Sequence, residues 1–105
     1  MSKNLTDKAK RDLLLINKAL KEGDTNSYNK LMNLYRDPIY FMLYEKVKDK
    51  ELAKDLTIEA LGKAFKKLHL YTPDYAFSTW LFTVARNNCI DYLRKNKIQT
   101  ISIEK

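Results

Sequence analysis

The spacing of apolar residues along the chain predicts four helices, because apolar side chains recur every three or four positions over most of its length. Gly23 stands where a left-handed residue would end the first helix. Pro38 lies inside the second helix and is expected to kink it, or to split it after Asp37. The expected bounds are about Thr6 or Asp7 to Glu22, Ser27 to Lys48, Asp49 or Lys50 to Leu70, and Phe77 or Ser78 to Lys97.

The fold class that follows is all-α, a compact bundle of about four helices. A length of 105 residues fits one domain with one modest core. Only 2 Gly and 2 Pro occur, which leaves little material for hairpin turns. The one convincing loop is "YTPDYA" (residues 71–76), since Pro73 forces Thr72 towards an extended backbone.

Composition argues against an enzyme. The chain has 1 His and 1 Cys, so it offers neither a cluster of metal ligands nor a nucleophile paired with a base, and no cofactor is expected. His69 is expected at a helix end, and Cys89 on a buried stripe. No stretch is apolar enough to cross a bilayer, so we expect a cytoplasmic protein without membrane insertion. A net charge of +7 makes a polyanionic partner plausible, although the charge is spread along the chain.

The third helix has an outward side that differs from an ordinary solvated face. On a helical wheel one side collects Ala53, Leu56, Thr57, Ala60, Leu61, Ala64 and Leu68 and is expected in the core. The opposite side carries an isoleucine and a glycine, which work against solubility and helix propensity. Its members are Asp55, Ile58, Glu59, Gly62 and Lys66. The wheel alone leaves two readings open: a docking face for another helix, or a solvated face with one stray Ile.

The fourth helix carries a polar and aromatic side beside its predicted buried stripe of Leu81, Ala85, Cys89 and Tyr92. Thr, Asn and Arg side chains contact base edges or phosphates, and Trp is a platform for stacking bases. Tyr71 and Tyr75, in the preceding loop, are placed to extend that platform. The alternative is that Trp80 belongs to the core and the polar positions face water. The side consists of Thr79, Trp80, Thr83, Arg86, Asn87 and Arg94.

The segments "DLTIEALGKAF" and "FSTWLFTVARNNCIDYLRK" resemble region 2 of bacterial sigma factors, most closely the extracytoplasmic-function (ECF) class. The likeness covers about residues 27–97, and its most specific part is "FSTWLFTVARN" ahead of "DYLRK". It implies a bundle of the sigma region 2 type over residues 1–97. It also implies that residues 98–105 begin a linker towards a second domain, one that reads the −35 element.

The resemblance implies partners for both sides. In such factors the helix carrying the D-L-x-Q-E pattern docks on the coiled coil of the β′ clamp of the RNA polymerase core. The positions that match here are Asp55, Ile58, Glu59 and Gly62. Ile58 stands where the family usually has Gln, so a hydrogen bond to the clamp becomes an apolar contact. An anti-sigma protein that covers both sides is a further partner implied by the family.

The resemblance also implies recognition of promoter DNA. The loop and the fourth helix of such factors recognise the −10 element and capture a flipped base of the single-stranded non-template strand. Arg86, Arg94 and Lys95 are expected on phosphates, which position DNA without reading its sequence. The matching positions for the bases are Lys63, Tyr71, the loop through Tyr75 and Ala76, Thr79, Trp80, Thr83 and Asn87.

Two other functions compete with this reading. One is a small helical protein-interaction module whose exposed Ile58 face binds a partner helix and which is indifferent to DNA. The other is a helix-turn-helix repressor, which reads intact duplex and needs two short helices joined by a tight turn containing Gly. No pair of short helices joined by such a turn is visible in the sequence.

Overall fold

The computed structural model describes the backbone of residues 6–103 and the side chains of residues 6–96. Four α-helices and one short 3₁₀ turn make up this part of the chain, with no strand among its elements. The helices are α1 (Asp7–Lys21), α2 (Thr25–Val47), α3 (Lys50–Lys66) and α4 (Phe77–Ile103), and the 3₁₀ turn is Leu68–Leu70. The predicted all-α fold of about four helices is confirmed.

Side-chain caps explain where the first three helices begin. The Thr6 hydroxyl accepts from the Ala9 amide at 3.0 Å, and the Asp49 carboxylate accepts from the Leu52 amide at 3.0 Å. Asp24 accepts from the amide of Asn26 at 3.0 Å. Each cap satisfies one of the amide groups that the first turn of a helix leaves without a partner. Gly23, with φ of 63°, follows α1 in the left-handed conformation that its position predicts.

The core lies where α2 packs against α1, α3 and α4. Large α2 side chains such as Leu31, Ile39 and Leu43 are completely buried there. They share one core with small residues of the neighbouring helices, among them Ala60 of α3 and Ala85 of α4, which are also completely buried. Small side chains let the backbones of neighbouring helices approach closely, which favours a densely packed core. The inward side predicted for α3 is confirmed, with Leu61 only half-buried.

Of the two outcomes predicted for Pro38, the split after Asp37 is wrong, because α2 runs unbroken through it, and the kink stays a prediction. Both Pro38 and Leu34 are exposed, so the carbonyl that loses its partner can bind water. Two predicted helix ends are also wrong. α3 stops at Lys66, and the 3₁₀ turn continues it to Leu70. α4 passes the predicted end at Lys97 and continues to Ile103, so most of the predicted linker is helical, while residues 104–105 lie outside the described part.

The spacing of Leu13, Ile16, Asn17 and Leu20 predicts that these residues form the inward side of α1, and the structure differs from this prediction. Asn17 and Leu20 are exposed, and Asp12 is buried instead, with 3 % of its surface accessible. Arg11 donates to the Asp12 carboxylate through Nε at 3.2 Å and Nη2 at 3.0 Å. The Tyr35 hydroxyl of α2 donates to the other oxygen of that carboxylate. A buried charge is tolerated where it is fully hydrogen-bonded, and this network ties α1 to α2.

We predict that Asp12→Ala lowers the free energy of unfolding by about 1–3 kcal/mol, because it leaves the buried Tyr35 hydroxyl without its acceptor. Urea denaturation followed by circular dichroism measures the change. Asp55→Ala is the control, since it removes an exposed carboxylate, and its effect should stay within about 0.5 kcal/mol. Equal effects of the two substitutions would show that the network does not stabilise the bundle.

Candidate functional site

The first half of α4 brings four of the predicted DNA-contacting side chains onto successive turns of one helix. Thr79 and Asn87 are exposed, while Trp80 and Thr83 are half-buried. The Thr83 hydroxyl donates back to the Thr79 carbonyl at 2.8 Å, which fixes its direction. We call Thr79, Trp80, Thr83, Asn87 and the nearby Lys63 of α3 the α4 face. A depression of about 280 Å³ is lined by Lys63, Trp80, Thr83 and Asn87 of this face.

Trp80 belongs to an aromatic cluster that supports the α4 face from below. Its ring centroid lies 5.7 Å from that of Tyr71 and 5.6 Å from that of Phe77, and the Tyr71 and Phe77 rings are 5.3 Å apart. Phe77 is buried, whereas Trp80 and Tyr71 are half-buried. Contacts at these distances are favourable between aromatic rings. Trp80 is therefore neither a fully buried core residue nor a free platform, since it packs on the bundle and keeps part of its surface accessible.

The loop of residues 71–76 is held in shape by its own side chains. The Tyr71 hydroxyl donates to the Tyr75 carbonyl, and the Thr72 hydroxyl donates to the Asp74 carboxylate at 3.1 Å. Burial raises the pKa of the Tyr71 phenol, whose hydroxyl is the donor in this bond. At the start of α4, the Ala76 carbonyl accepts hydrogen bonds from the backbone amides of Thr79 and Trp80. The loop and α1 line a second depression of about 600 Å³.

The predicted phosphate contacts do not all lie together. Arg86 is exposed and lines a groove beside the α4 face, together with Lys8 and Arg11 of α1. Arg94 and Lys95 are exposed further along α4, where Arg94 forms an ion pair with Asp91 at 3.8 Å. Sequence reasoning had not singled out Lys8 and Arg11, although their three-residue spacing places two cations on one side of a helix.

The predicted docking side of α3 is a separate surface. Ile58 leaves 62 % of its surface exposed, and Asp55 and Gly62 are exposed as well. A Cβ added at Gly62 would meet no atom within 4 Å, so packing within the domain does not require glycine there. Ile58 borders two depressions between α2 and α3, of about 630 and 480 Å³. Leu61 lines both. We call Asp55, Ile58, Glu59 and Gly62 the α3 face.

One member of the α3 face has a partner inside the protein. The Asn88 side-chain amide of α4 donates to Oε1 of Glu59 at 2.9 Å. Asn88 is buried, with 4 % of its surface accessible, whereas Glu59 as a whole is exposed. Glu59 therefore links α3 to α4 from the border of the α3 face. Sequence reasoning gave no sign of this bond, because it joins residues 29 positions apart in the sequence.

Asn87 and Asn88 offer a matched pair for testing this bond. We predict that Asn88→Ala lowers the free energy of unfolding by about 1 kcal/mol, since it removes a partly buried hydrogen bond to a charged group. Asn87→Ala should change it by less than about 0.5 kcal/mol, because Asn87 is exposed. Urea denaturation of both variants provides the measurement. A larger effect at Asn87 would contradict the positions described for these side chains.

Other chemistry is not prominent in the described part of the chain. Within residues 6–103, no group of three or more His, Cys, Asp or Glu side chains is arranged to hold a metal ion. None of the helices described there is both long and apolar enough to span a membrane. Cys89 is buried as predicted, and burial raises the pKa of its thiol.

Comparison with known proteins gives concordant matches in family and in fold. The family model for sigma-70 region 2 matches residues 31–98. The ECF RNA polymerase sigma factor SigW of Bacillus subtilis is 32 % identical over 80 residues, which cover 76 % of this chain and 43 % of SigW. SigM of the same organism is 39 % identical over 70 residues, covering 66 % of this chain and 42 % of SigM. The chain thus spans less than half the length of either relative.

A solved structure matches nearly the whole chain. It is the NMR structure of an engineered region 2 of sigmaE in complex with GTAAAA. The two chains superpose with a TM-score of 0.75 at 27 % sequence identity, and the match covers 94 % of this chain and 97 % of the other.

Proposed function

The chain belongs to the sigma-70 region 2 family, in its ECF class, and we propose that it recognises the −10 element of a promoter and docks on RNA polymerase. The observation that carries this proposal is the pairing of two distinct surfaces on one bundle. The α4 face and its loop have the chemistry of a nucleic-acid site, and the α3 face has that of a protein contact. The domain acts by binding and carries out no reaction.

The α4 face supports recognition of a melted strand. Part of the Trp80 ring and part of the Tyr71 ring are accessible, so bases can stack there, each for about 1–3 kcal/mol. Flipping a base out of a duplex costs a few kcal/mol, so about two such contacts offset one flipped base. Exposed Thr79 and Asn87 supply donors and acceptors for base edges. The sigmaE region 2 that this chain resembles was solved in complex with the hexanucleotide GTAAAA.

The remaining predicted DNA contacts have simpler roles. Tyr75 and Ala76 line the loop depression, which is the proposed pocket for the flipped base. Lys63 and Asn87 both line the smaller depression on the α4 face. Arg86, Arg94 and Lys95 bind phosphates, which positions the strand without reading its sequence. Pro73 fixes one backbone dihedral angle of this loop. The shape of the loop, and with it the base that the loop prefers, is therefore specific to this chain.

We predict that Asn87→Ala weakens binding of single-stranded GTAAAA by about 1–3 kcal/mol, the range for a side chain that reads a base edge. Fluorescence anisotropy with a labelled hexanucleotide measures the affinity. Asn17→Ala is the matched control, because it removes another exposed asparagine, one that lies on α1 and lines none of the depressions described above. The corresponding duplex should bind more weakly than the single strand.

Either competing function gives a different result. A helical protein-interaction module would bind neither strand, and Asn87→Ala would change nothing. A duplex-reading repressor would prefer the intact duplex to the single strand.

The α3 face supports docking on the coiled coil of the β′ clamp. Ile58 projects an apolar side chain from a helix that also carries the exposed carboxylate of Asp55. The open surface at Gly62 permits a partner helix to approach the α3 backbone. A largely exposed Ile beside a groove is the kind of residue that an interface buries. Glu59 contributes to docking at the border of the α3 face. Its Oε1 also accepts a hydrogen bond from Asn88 of α4.

We predict that Ile58→Asp abolishes binding to a purified β′ coiled-coil fragment, because it replaces the apolar contact with a third carboxylate beside Asp55 and Glu59. Isothermal titration calorimetry with the native chain and the variant tests this. Leu14→Asp is the control, since Leu14 leaves 57 % of its surface exposed and lies on α1, which does not line the two depressions beside Ile58. Loss of binding in both variants, or in neither, would contradict docking through the α3 face.

A further inference from the structure

The groove that contains Arg86 holds a second set of cations beside the α4 face. It has a volume of about 680 Å³ and lies between α1, α2 and α4. Lys8 and Arg11 enter it from α1 and Arg86 from α4. Among the described residues that line the groove there are these three cations and no carboxylate. Hydroxyl groups are supplied by Ser78 and Thr79, and aromatic surface by the half-buried Phe82.

The two α1 cations are held in place by neighbours in the bundle. Lys8 Nζ lies 5.3 Å from the centroid of the Tyr35 ring, within the range of a cation–π interaction. Arg11 uses Nε and Nη2 to donate to Asp12, and its side chain remains 44 % exposed. A guanidinium has five N–H donors, so two bonds to Asp12 leave others for a ligand. Asp12 is buried and lines the adjoining loop depression, not this groove.

The groove joins the two depressions already described. It shares Lys8 and Ser78 with the depression formed by the loop of residues 71–76. It shares Thr83 with the depression that contains Asn87. A strand that enters the loop depression and contacts the α4 face is therefore adjacent to all three cations.

We propose that this groove binds the phosphodiester backbone of the single DNA strand, with Lys8, Arg11 and Arg86 contacting its phosphates. The proposal rests on the function proposed above and extends the DNA contacts onto α1. Cations fixed beside hydroxyl donors suit phosphate oxygens, and aromatic surface between them suits the sugars. Contacts of this kind raise the affinity for every sequence and make it depend on salt.

The test measures the salt dependence of binding to a labelled single strand of about twelve nucleotides, a length that follows from the site sizes of small single-strand binding domains. Lys8→Gln removes one charge from the groove, and Lys10→Gln removes one from an exposed site on α1 that does not line it. We expect Lys8→Gln to reduce the slope of log K against log salt concentration by about 0.7, the value for one lost phosphate contact on a single strand.

The same variant should weaken binding by a similar factor for every strand sequence tested, and Lys10→Gln should behave as the native chain does. Arg11→Gln is a second variant, in which the Gln amide retains a donor for Asp12. Thermal unfolding followed by circular dichroism verifies that each variant is folded.

The outcomes separate this proposal from the one on which it rests. Unchanged slopes for Lys8→Gln and Arg11→Gln, in a chain whose binding still depends on Asn87, would overturn the groove and leave the proposed function intact. An equal loss for Lys8→Gln and Lys10→Gln would also overturn it, because it would show attraction to net charge alone. A native chain that does not bind single strands at any salt concentration would overturn both.

Discussion

The close approach of α3 and α4 to the buried side of α2 is the constraint on which the rest of the structure depends. Completely buried alanines of α3 and α4, such as Ala60 and Ala85, share one core with large, completely buried α2 residues such as Ile39 and Leu43. Any larger side chain at those alanines would separate the helices, since a close-packed core has no space for added atoms. This packing fixes the rotation of α3 and α4 about their axes. It thereby determines which residues of each helix reach the surface, and hence both the α3 face and the α4 face.

Much of this arrangement follows from the sequence because it depends on local periodicity. The inward side of α3, the loop of residues 71–76 and the caps at the helix starts are all encoded within a few residues. The burial of Asp12 is different, since its stability comes from Tyr35 on another helix as well as from Arg11. The continuity of α2 through Pro38 likewise depends on an exposed position that periodicity alone does not reveal. For the candidate site, residue types predicted the α4 face, whereas the groove formed with α1 required the tertiary structure.

The two faces are distinct but not isolated from each other. The bond between Glu59 and Asn88 joins the border of the α3 face to the residue next to Asn87 on α4. On the proposed function, one bundle that binds a protein through the α3 face and a DNA strand through the α4 face would fix the distance between the two partners. Such a geometry suits a domain that must place one region of DNA relative to a much larger protein. On the same proposal, stacking of bases on Trp80 and Tyr71 would favour the melted strand.

The central claim is that one bundle binds two partners through two separate surfaces. The most direct measurement is an amide chemical-shift titration of the isotope-labelled chain, first with a single-stranded hexanucleotide and then with the β′ coiled-coil fragment. The account predicts that DNA shifts the resonances of residues 71–76 and of α4 around Thr79–Asn87. The protein fragment should shift those of α3 around Asp55–Gly62, and both ligands should bind together. Shifts of the same resonances by both ligands, or displacement of one by the other, would contradict it.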